Sequence, residues 1–555
     1  MNVFGSIRAS AIALPAVAAL LLVAGCSRDD AQRASASDAP VVTTTLGAIR
    51  GTVEDDLLVF RGVQYGASTA GAMRFKPPVA APAWSGVRDA SRDALLCPQA
   101  PTALDSLQAT GYRARSEVLA DDVSEDCLYL KVITGTLDHS AKRPVMVWIH
   151  GGGFASGSGM EPVSHAAKLV TDGEIVHVAV NHRVNVFGFL YLEHLLGPDY
   201  AGSGNAGLLD VVLALEWIKE NIERFGGDPN NVTLFGQSGG GAKISALMAM
   251  PAAKGLYHKV IIQSGSAYSK QRTVEEAQAD TRQALAHFDL TAEQAQSLVA
   301  MPLEQLRLAF PRMRMNARPV VDGGSLPRHP WFPDAPAVSA QVPMIIGVTE
   351  TEGTKFGHAG DFELDEEGMK TRLKLQLGDK TPAVVAGYRK LYPTLTPSDL
   401  YFLIHSDARD LRWMMAQTNA RLQQGGAPVY VYQFRWHTPV DGGKWRSPHG
   451  VDVPFVFNNL RVTPSTVGTQ IDALQPLADS MSQMWVAFAR TGDPNVAGQP
   501  RWDAYSADAR NVMLFDLESK QASGFFDARL ALLTDVPRIE PTSAMILVQD
   551  RDGAK

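Results

Sequence analysis

A serine between glycines is the first group in this sequence that could do chemistry. Gly236-Gln237-Ser238-Gly239-Gly240 follows the short apolar run 232–235 (VTLF) and precedes a stretch from Ala242 that reads as a helix. Gly-x-Ser-x-Gly between a strand and a helix puts the serine on a sharp turn, where a Cβ at either flank would crowd the neighbouring elements. The turn lifts the hydroxyl to the carboxyl end of the strand, with the positive end of a helix behind it. Such a serine attacks an electrophilic carbon and forms a covalent intermediate. It needs a base, and donors for the negative charge that develops. His150-Gly151-Gly152-Gly153-Phe154 offers the donors, because three glycines after a strand let backbone N–H groups turn toward one point. Gly152, Gly153 and Gly239 are the expected oxyanion hole, and His150 is expected to be structural.

The base is one of thirteen histidines. In proteins with this turn the chain order is serine, acid, histidine. The run 344–348 (MIIGV) leads into Thr349-Glu350-Thr351-Glu352-Gly353, which offers two carboxylates. His358, His405, His437 and His449 follow. His358 is too close to the acid to sit on a separate loop. His405 lies in a helical pattern beside Phe402 and Leu403 and reads as a packed side chain. His437 directly follows the run 429–434 (VYVYQF). His449 sits in Ser447-Pro448-His449-Gly450, just ahead of the apolar run 453–457. The local pattern favours His449 and leaves His437 as a rival.

These residues need a scaffold of strand ends. Apolar runs at 145–149, 175–180, 232–235, 260–262, 344–348 and 429–434 are bounded by Gly, Asn and Pro and read as strands buried on both faces. Between two of them, 208–225 has helical apolar spacing and stops at Gly226-Gly227-Asp228-Pro229. Strands alternating with helices predict an α/β fold with a mostly parallel central sheet covered by helices on both faces. At the front, 45–50 and 57–61 suggest a small antiparallel element before that sheet. Two helix-patterned stretches, about 274–310 and 364–424, are candidates for cap insertions. No repeat or linker interrupts 41–540, which is expected to be one domain, and 541–555 is a tail.

The chain of 555 residues carries 45% hydrophobic and 20% charged residues, which excludes disordered, collagenous and coiled-coil chains. Its formal charge of −7, with no basic stripe, argues against a nucleic-acid partner. Three cysteines exclude a disulfide-dense scaffold, and no His/Asp cluster at ligand spacing suggests a metal; no cofactor is required. Residues 1–25 combine Arg8 with an apolar run and read as a signal peptide. Leu22-Val23-Ala24-Gly25-Cys26 resembles a bacterial lipobox, which implies cleavage before Cys26 and lipidation of its thiol. Residues 26–40 then read as a flexible tether. The lipobox resemblance further implies a place in the cell envelope, where Ser27 after the cysteine, rather than Asp, favours the outer membrane. Export implies an oxidising compartment, and with Cys26 lipidated, Cys97 and Cys127 remain and are expected to pair.

The whole pattern resembles the type-B carboxylesterase family, which includes cholinesterases and bacterial para-nitrobenzyl esterases. The matching segments include Phe60-Arg61-Gly62-Val63, Ser124-Glu125-Asp126-Cys127-Leu128-Tyr129-Leu130, Phe187-Gly188-Phe189-Leu190, Gln263-Ser264-Gly265, the serine segment and the stretch from His449 to Phe457. The resemblance spans most of 41–500. It implies the α/β-hydrolase fold with helical caps, Glu352 as the acid, His449 as the base, a Cys97–Cys127 disulfide and hydrolysis of small-molecule carboxylic esters. It departs from the family at two positions of the usual Gly-Glu-Ser-Ala-Gly, where this chain has Gln237 and Gly239. No Trp stands between Cys97 and Cys127, where cholinesterases stack choline, so a cholinesterase is not expected. Two alternatives remain: the same chemistry on another acyl bond (amidase, thioesterase or lactonase), or a non-catalytic binding module on the same fold. Ester, thioester and anilide analogues discriminate them. Oligomeric state is not legible.

Overall fold

The computed structural model describes residues 39–100, 122–266, 270–313 and 315–538. The expected signal peptide, Cys26, nearly all of the tether and the tail lie outside the described residues, as does most of the loop between Cys97 and Cys127. The strands, in chain order, begin with β1 (Val41–Thr43), β2 (Ala48–Arg50), β3 (Thr52–Glu54), β4 (Leu57–Gln64), β5 (Val87–Asp89), β6 (Tyr129–Thr134) and β7 (Arg143–Ile149). They continue with β8 (Val176–Val180), β9 (Gly227–Gln237), β10 (Lys259–Gln263), β11 (Met344–Thr349), β12 (Val429–Phe434), β13 (Asn511–Phe515) and β14 (Lys520–Ser523).

β1, β2 and β5 form a three-stranded sheet, and the others form an eleven-stranded sheet in the order β14-β13-β12-β11-β10-β9-β7-β8-β6-β4-β3. From β8 to β13 the pairing is parallel throughout, and the strands beyond these on either side are antiparallel. The chain passes from β7 to β8 on one side, then returns to place β9 on the other side of β7. The carboxyl ends of β7 and β9 therefore lie side by side at a point where the strand order reverses, the place where α/β sheets build their sites.

Side chains along β7 alternate between two cores. Val145, Val147 and Ile149 join Leu234, Ile262, Val431, Leu208, Ala242 and Met414 on one face. Met146 and Trp148 join Phe235, Ile261, Ile345 and Tyr432 on the other, covered by helix Ile471–Thr491 through Met481, Trp485 and Phe488. Burial on both faces explains why these strands read as continuous apolar runs.

Several expected boundaries move. The segment 57–61 is not a separate element: it extends into β4 and enters the main sheet antiparallel to β6, with a register shift between Phe60 and Val63. Helix Ala206–Asn221 gives way to a 3₁₀ turn at Ile222–Phe225, closed by Gly226 at φ 75°. β9 starts already at Gly227, inside the expected terminator. β3, β6, β13 and β14 of the main sheet went unread. Lys131 interrupts the apolar pattern of β6, yet it is buried there and paired with Asp93 at 3.2 Å. β13 is five residues set among polar neighbours. The two helix-patterned stretches do form helices, at Val274–His287, Gln296–Ala300 and Leu303–Ala309, and at Glu366–Leu377, Thr381–Leu391, Pro397–Ser406 and Arg412–Gln424. Most of them pack in hydrophobic clusters of their own beside the sheet.

Candidate active site

Ser238 links the last residue of β9 to helix Gly239–Leu247 at φ 58°, ψ −125°. Few L residues hold such angles, and they persist where the surroundings over-determine them. Here the Ser238 N–H donates to the Gln263 carbonyl at 2.7 Å, tying the turn to β10. β7 presses on the other side: a Cβ on Gly240 would stand 2.0 Å from the Ile149 carbonyl oxygen. Only glycine fits there.

The glycine loop after β7 is pinned from behind. The His150 carbonyl accepts from Lys243 Nζ at 3.0 Å, and the Gly151 carbonyl lies 3.0 Å from His150 Nδ1. The Gly152 carbonyl accepts from the N–H groups of Ala155 at 3.2 Å and Ser156 at 3.1 Å. In a trans peptide the N–H points opposite the C=O. Each of the N–H groups of Gly151, Gly152 and Gly153 therefore points away from its own pinned carbonyl. Among the described residues neither Gly152 nor Gly153 N–H has a partner, which leaves both free to donate. Gly152 and Gly153 lie at φ 81° and 61°. Gly239 opens the helix, so its N–H is free of intrahelical bonding. A Cβ on Gly239 would stand 2.1 Å from the Gly153 carbonyl oxygen, so the loop and the helix start meet here without a side chain between them.

A carboxylate and a histidine come from the ends of β11 and β12. Glu352, fully buried, follows β11, and His449 follows β12 and is 8% exposed. His449 Nδ1 bonds Glu352 Oε2. The other carboxylate oxygen accepts from Ser264 Oγ at 2.6 Å and the Thr349 N–H at 2.7 Å. Burial alone would push the Glu352 carboxyl up; His449, Ser264 and Thr349 together outweigh it and hold it below the usual carboxylate range. The acid and histidine loops are also tied to each other. The Thr351 N–H donates to the Ser447 carbonyl at 3.1 Å, and the Ser447 N–H donates to Thr351 Oγ1 at 3.0 Å. Asp452, three residues past the histidine, accepts from Gln263 Nε2 at 2.9 Å and Tyr432 Oη at 2.8 Å, which fastens that loop to β10 and β12. Gly353 completes the Glu-Gly pair because a Cβ there would stand 2.7 Å from His405 Cδ2.

On its far side, His449 Nε2 lies 3.0 Å from Gln237 Nε2. Bonding of Nδ1 to the carboxylate leaves Nε2 as the acceptor, so it takes a hydrogen from the glutamine amide. The rival residues form a pair too. Glu350 binds His437 Nε2 at 2.6 Å and Arg435 at 3.2 Å. Burial works against its charge, but His437, Arg435 and Arg446 bring the Glu350 carboxyl down to about 2. That pair is tied to arginines, and among the described residues no hydrogen bond or ion pair joins it to the serine turn.

All the expected site residues except Cys26 are therefore placed. Ser238, Gly152, Gly153 and Gly239 meet at the β7–β9 edge; Glu352 and His449 reach it from β11 and β12. Cys97 and Cys127 form a disulfide across a separation of 30 residues. Ser264, Asp452 and Lys243 were not assigned roles from sequence. Ser264 and Asp452 lie inside segments that match the family; Lys243 had no signal beyond being a charged residue in an apolar helix. Among the described residues no cluster of three or more His, Cys, Asp or Glu is arranged to hold a metal ion.

A serine turn at the centre of a mostly parallel sheet, with a carboxylate and a histidine at later strand ends, defines the α/β-hydrolase class of proteins. The model of the carboxylesterase family matches residues 38–532, and the chain belongs to that family. It is 35% identical over 488 residues to the para-nitrobenzyl esterase of Bacillus subtilis (strain 168), covering 86% of this chain and 95% of that one. The phenmedipham hydrolase of Pseudarthrobacter oxydans is 32% identical over 509 residues, with coverage of 87% and 96%. The solved carboxylesterase EST55 of Geobacillus stearothermophilus superposes with a TM-score of 0.78 at 32% identity, covering 89% of this chain and 99% of that one. The protein is a serine hydrolase of carboxylic esters.

Proposed function

We propose that Ser238 is the nucleophile, His449 the base and Glu352 the residue that orients the imidazole and stabilises its charged form. Ser238 attacks the ester carbonyl as His449 takes its proton; the N–H groups of Gly152, Gly153 and Gly239 stabilise the oxyanion. His449 then gives the proton to the leaving alcohol, and water hydrolyses the acyl-enzyme with His449 again as base. The observation that carries this reading is the bonded series Ser264–Glu352–His449, which ends against the serine turn. In this reading His449 Nε2 passes from the Gln237 amide to Ser238 Oγ when substrate binds. The test is turnover of p-nitrophenyl acetate through decanoate by residues 27–555, beside Ser238→Ala. Loss of at least 10³-fold in the variant is expected; turnover that survives it would remove Ser238 from the mechanism.

The substrate we propose is an uncharged ester with an apolar group. Gln237 supplies no negative charge to a cationic one, and the Phe356 ring, 45% exposed, lies 5.1 Å from the His449 ring as an apolar wall. Phe356→Ala is expected to lower kcat/KM most for the longer or aromatic acyl esters; an equal loss across the series would refute the wall.

The sequence also supports a lipid anchor at Cys26 with a tether over 26–40, holding the enzyme in the cell envelope. Palmitate labelling of the expressed protein, lost in Cys26→Ser, is the expected result; labelling that persists would overturn it.

A further inference from the structure

We propose that Lys243 is a positioning residue of the oxyanion hole, its side-chain nitrogen holding the His150 carbonyl and through it the orientation of the glycine loop. The inference rests on the reading of Gly152 and Gly153 as oxyanion donors. Lys243 stands four residues after Gly239 in helix Gly239–Leu247, so it shares the face of the helix that opens at the serine. It is fully buried. Its Nζ donates to the His150 carbonyl at 3.0 Å and lies 5.8 Å from the Phe154 ring, so one side chain touches both ends of the loop that carries the glycines. Among the described residues the His150 carbonyl is its only hydrogen-bond partner.

A buried amine with three donor sites and one acceptor is a costly placement. An apolar side chain of the same length would fill the space at no such cost. What the lysine adds is the bond to the first carbonyl of the loop. With that carbonyl turned to the helix, the trans peptide directs the Gly151 N–H the other way and sets the direction in which the next two peptides begin. The charged and titratable groups around Lys243 are few. Glu161 is the carboxylate whose field favours its charged form. The imidazole of His182 stacks on that of His150 at 4.3 Å, and burial, with Lys243 adding to it, holds His182 well below its usual range. Burial pushes the Lys243 amine down to about 7, against the pull of Glu161. Both forms of the side chain carry an N–H, so the bond to His150 survives titration across neutral pH.

The test compares wild type, Lys243→Met and Lys243→Gln with Ser238→Ala as control, on residues 27–555. The readouts are kcat and KM for p-nitrophenyl acetate, affinity for a trifluoromethyl ketone that forms a tetrahedral adduct with a nucleophilic serine, and Tm. Lys243→Met is expected to lower kcat at least tenfold, to weaken the adduct by a similar factor and to leave KM within threefold, with Tm unchanged or higher. Lys243→Gln carries donors on an arm one atom shorter and is expected to fall between Met and wild type. Wild-type kcat and adduct affinity in a folded Met variant would overturn the proposal. So would losses that follow the folded fraction alone, which is what a merely structural residue gives. If the Met variant does not fold, the same criterion applies to Gln, where at least a threefold loss is expected. Turnover that survives Ser238→Ala would fault the serine reading instead.

Discussion

At the residue scale, two substitutions within the serine motif change what the site can do. Gly239 stands where the family motif usually has Ala, and the Gly153 carbonyl oxygen lies 2.1 Å from where that Cβ would be. Gly239→Ala must push the glycine loop away from the serine. In the proposed mechanism this displaces an oxyanion donor, a loss worth roughly 10²–10³ in kcat, and kcat for p-nitrophenyl acetate should fall by that order with KM little changed. Gln237 acts on the other side, through its 3.0 Å contact with His449. Gln237→Glu would set a carboxylate beside the reacting centre. The kcat/KM ratio of a quaternary-ammonium ester to its neutral isostere should then rise roughly tenfold, a Coulomb gain of about 1.4 kcal/mol in a partly screened site. A ratio that stays put would show that this side chain does not face the alcohol group. Both departures were legible in the sequence. Their consequences were not, because the approach of Gly153 and the bond to His449 join residues far apart in the chain.

At the scale of elements, the site depends on loops being fastened to one another. Sequence order narrowed the base to His449 or His437 and the acid to Glu350 or Glu352, and the structure contains both couples. Local pattern favoured His449 but left His437 as a rival, since each histidine follows β12 and each glutamate follows β11; only the family resemblance pointed to Glu352 with His449. What separates them is the partner on the far side: the serine turn for one couple, arginines for the other. Thr351 lies between the two glutamates and bonds Ser447, so it ties the acid loop to the histidine loop. Thr351→Val keeps the shape and removes the hydroxyl's bonds to Ser447 and Trp445; about 1–2 kcal/mol of stability should be lost, read from chemical denaturation, with a fall in kcat larger than any change in KM. The disulfide closes a loop of 30 residues. Asn181 and Asn185 hold its base, through the Cys127 carbonyl at 3.0 Å and the Pro98 carbonyl at 2.8 Å. In the chain-entropy account such a bridge is worth roughly 3–4 kcal/mol, so Cys97→Ser with Cys127→Ser should lower the denaturation midpoint accordingly. An unchanged midpoint would mean that the asparagines suffice.

At the scale of the molecule, the sheet was legible wherever strands are buried on both faces, as in β7 to β12, and poorly legible at its margins. β4 and β6 mix polar residues into buried strands, and the pairing of β4 into the main sheet rests on contacts that no local pattern encodes. The buried lysine gives the whole fold a pH signature. The Lys243 amine lies near 7 in the folded chain and near its usual 10.5 when unfolded. Between these values the unfolded state binds more protons, so this residue makes stability rise with pH across that window and penalises the fold most below it. The Tm advantage of Lys243→Met over wild type should therefore be largest at or below pH 7 and shrink toward pH 9.5. A constant difference would mean that the amine stays charged in the fold. The close approach of Gly153 to Gly239 has a historical side as well. A lineage that carries alanine after its serine cannot reach this arrangement by moving the loop first, because the methyl group blocks the way. The side chain must be lost before the loop can settle, and once it has settled the reverse exchange is harmful. Position 239 then works as a ratchet, and descendants of this chain should hold glycine there unless the loop changes with it.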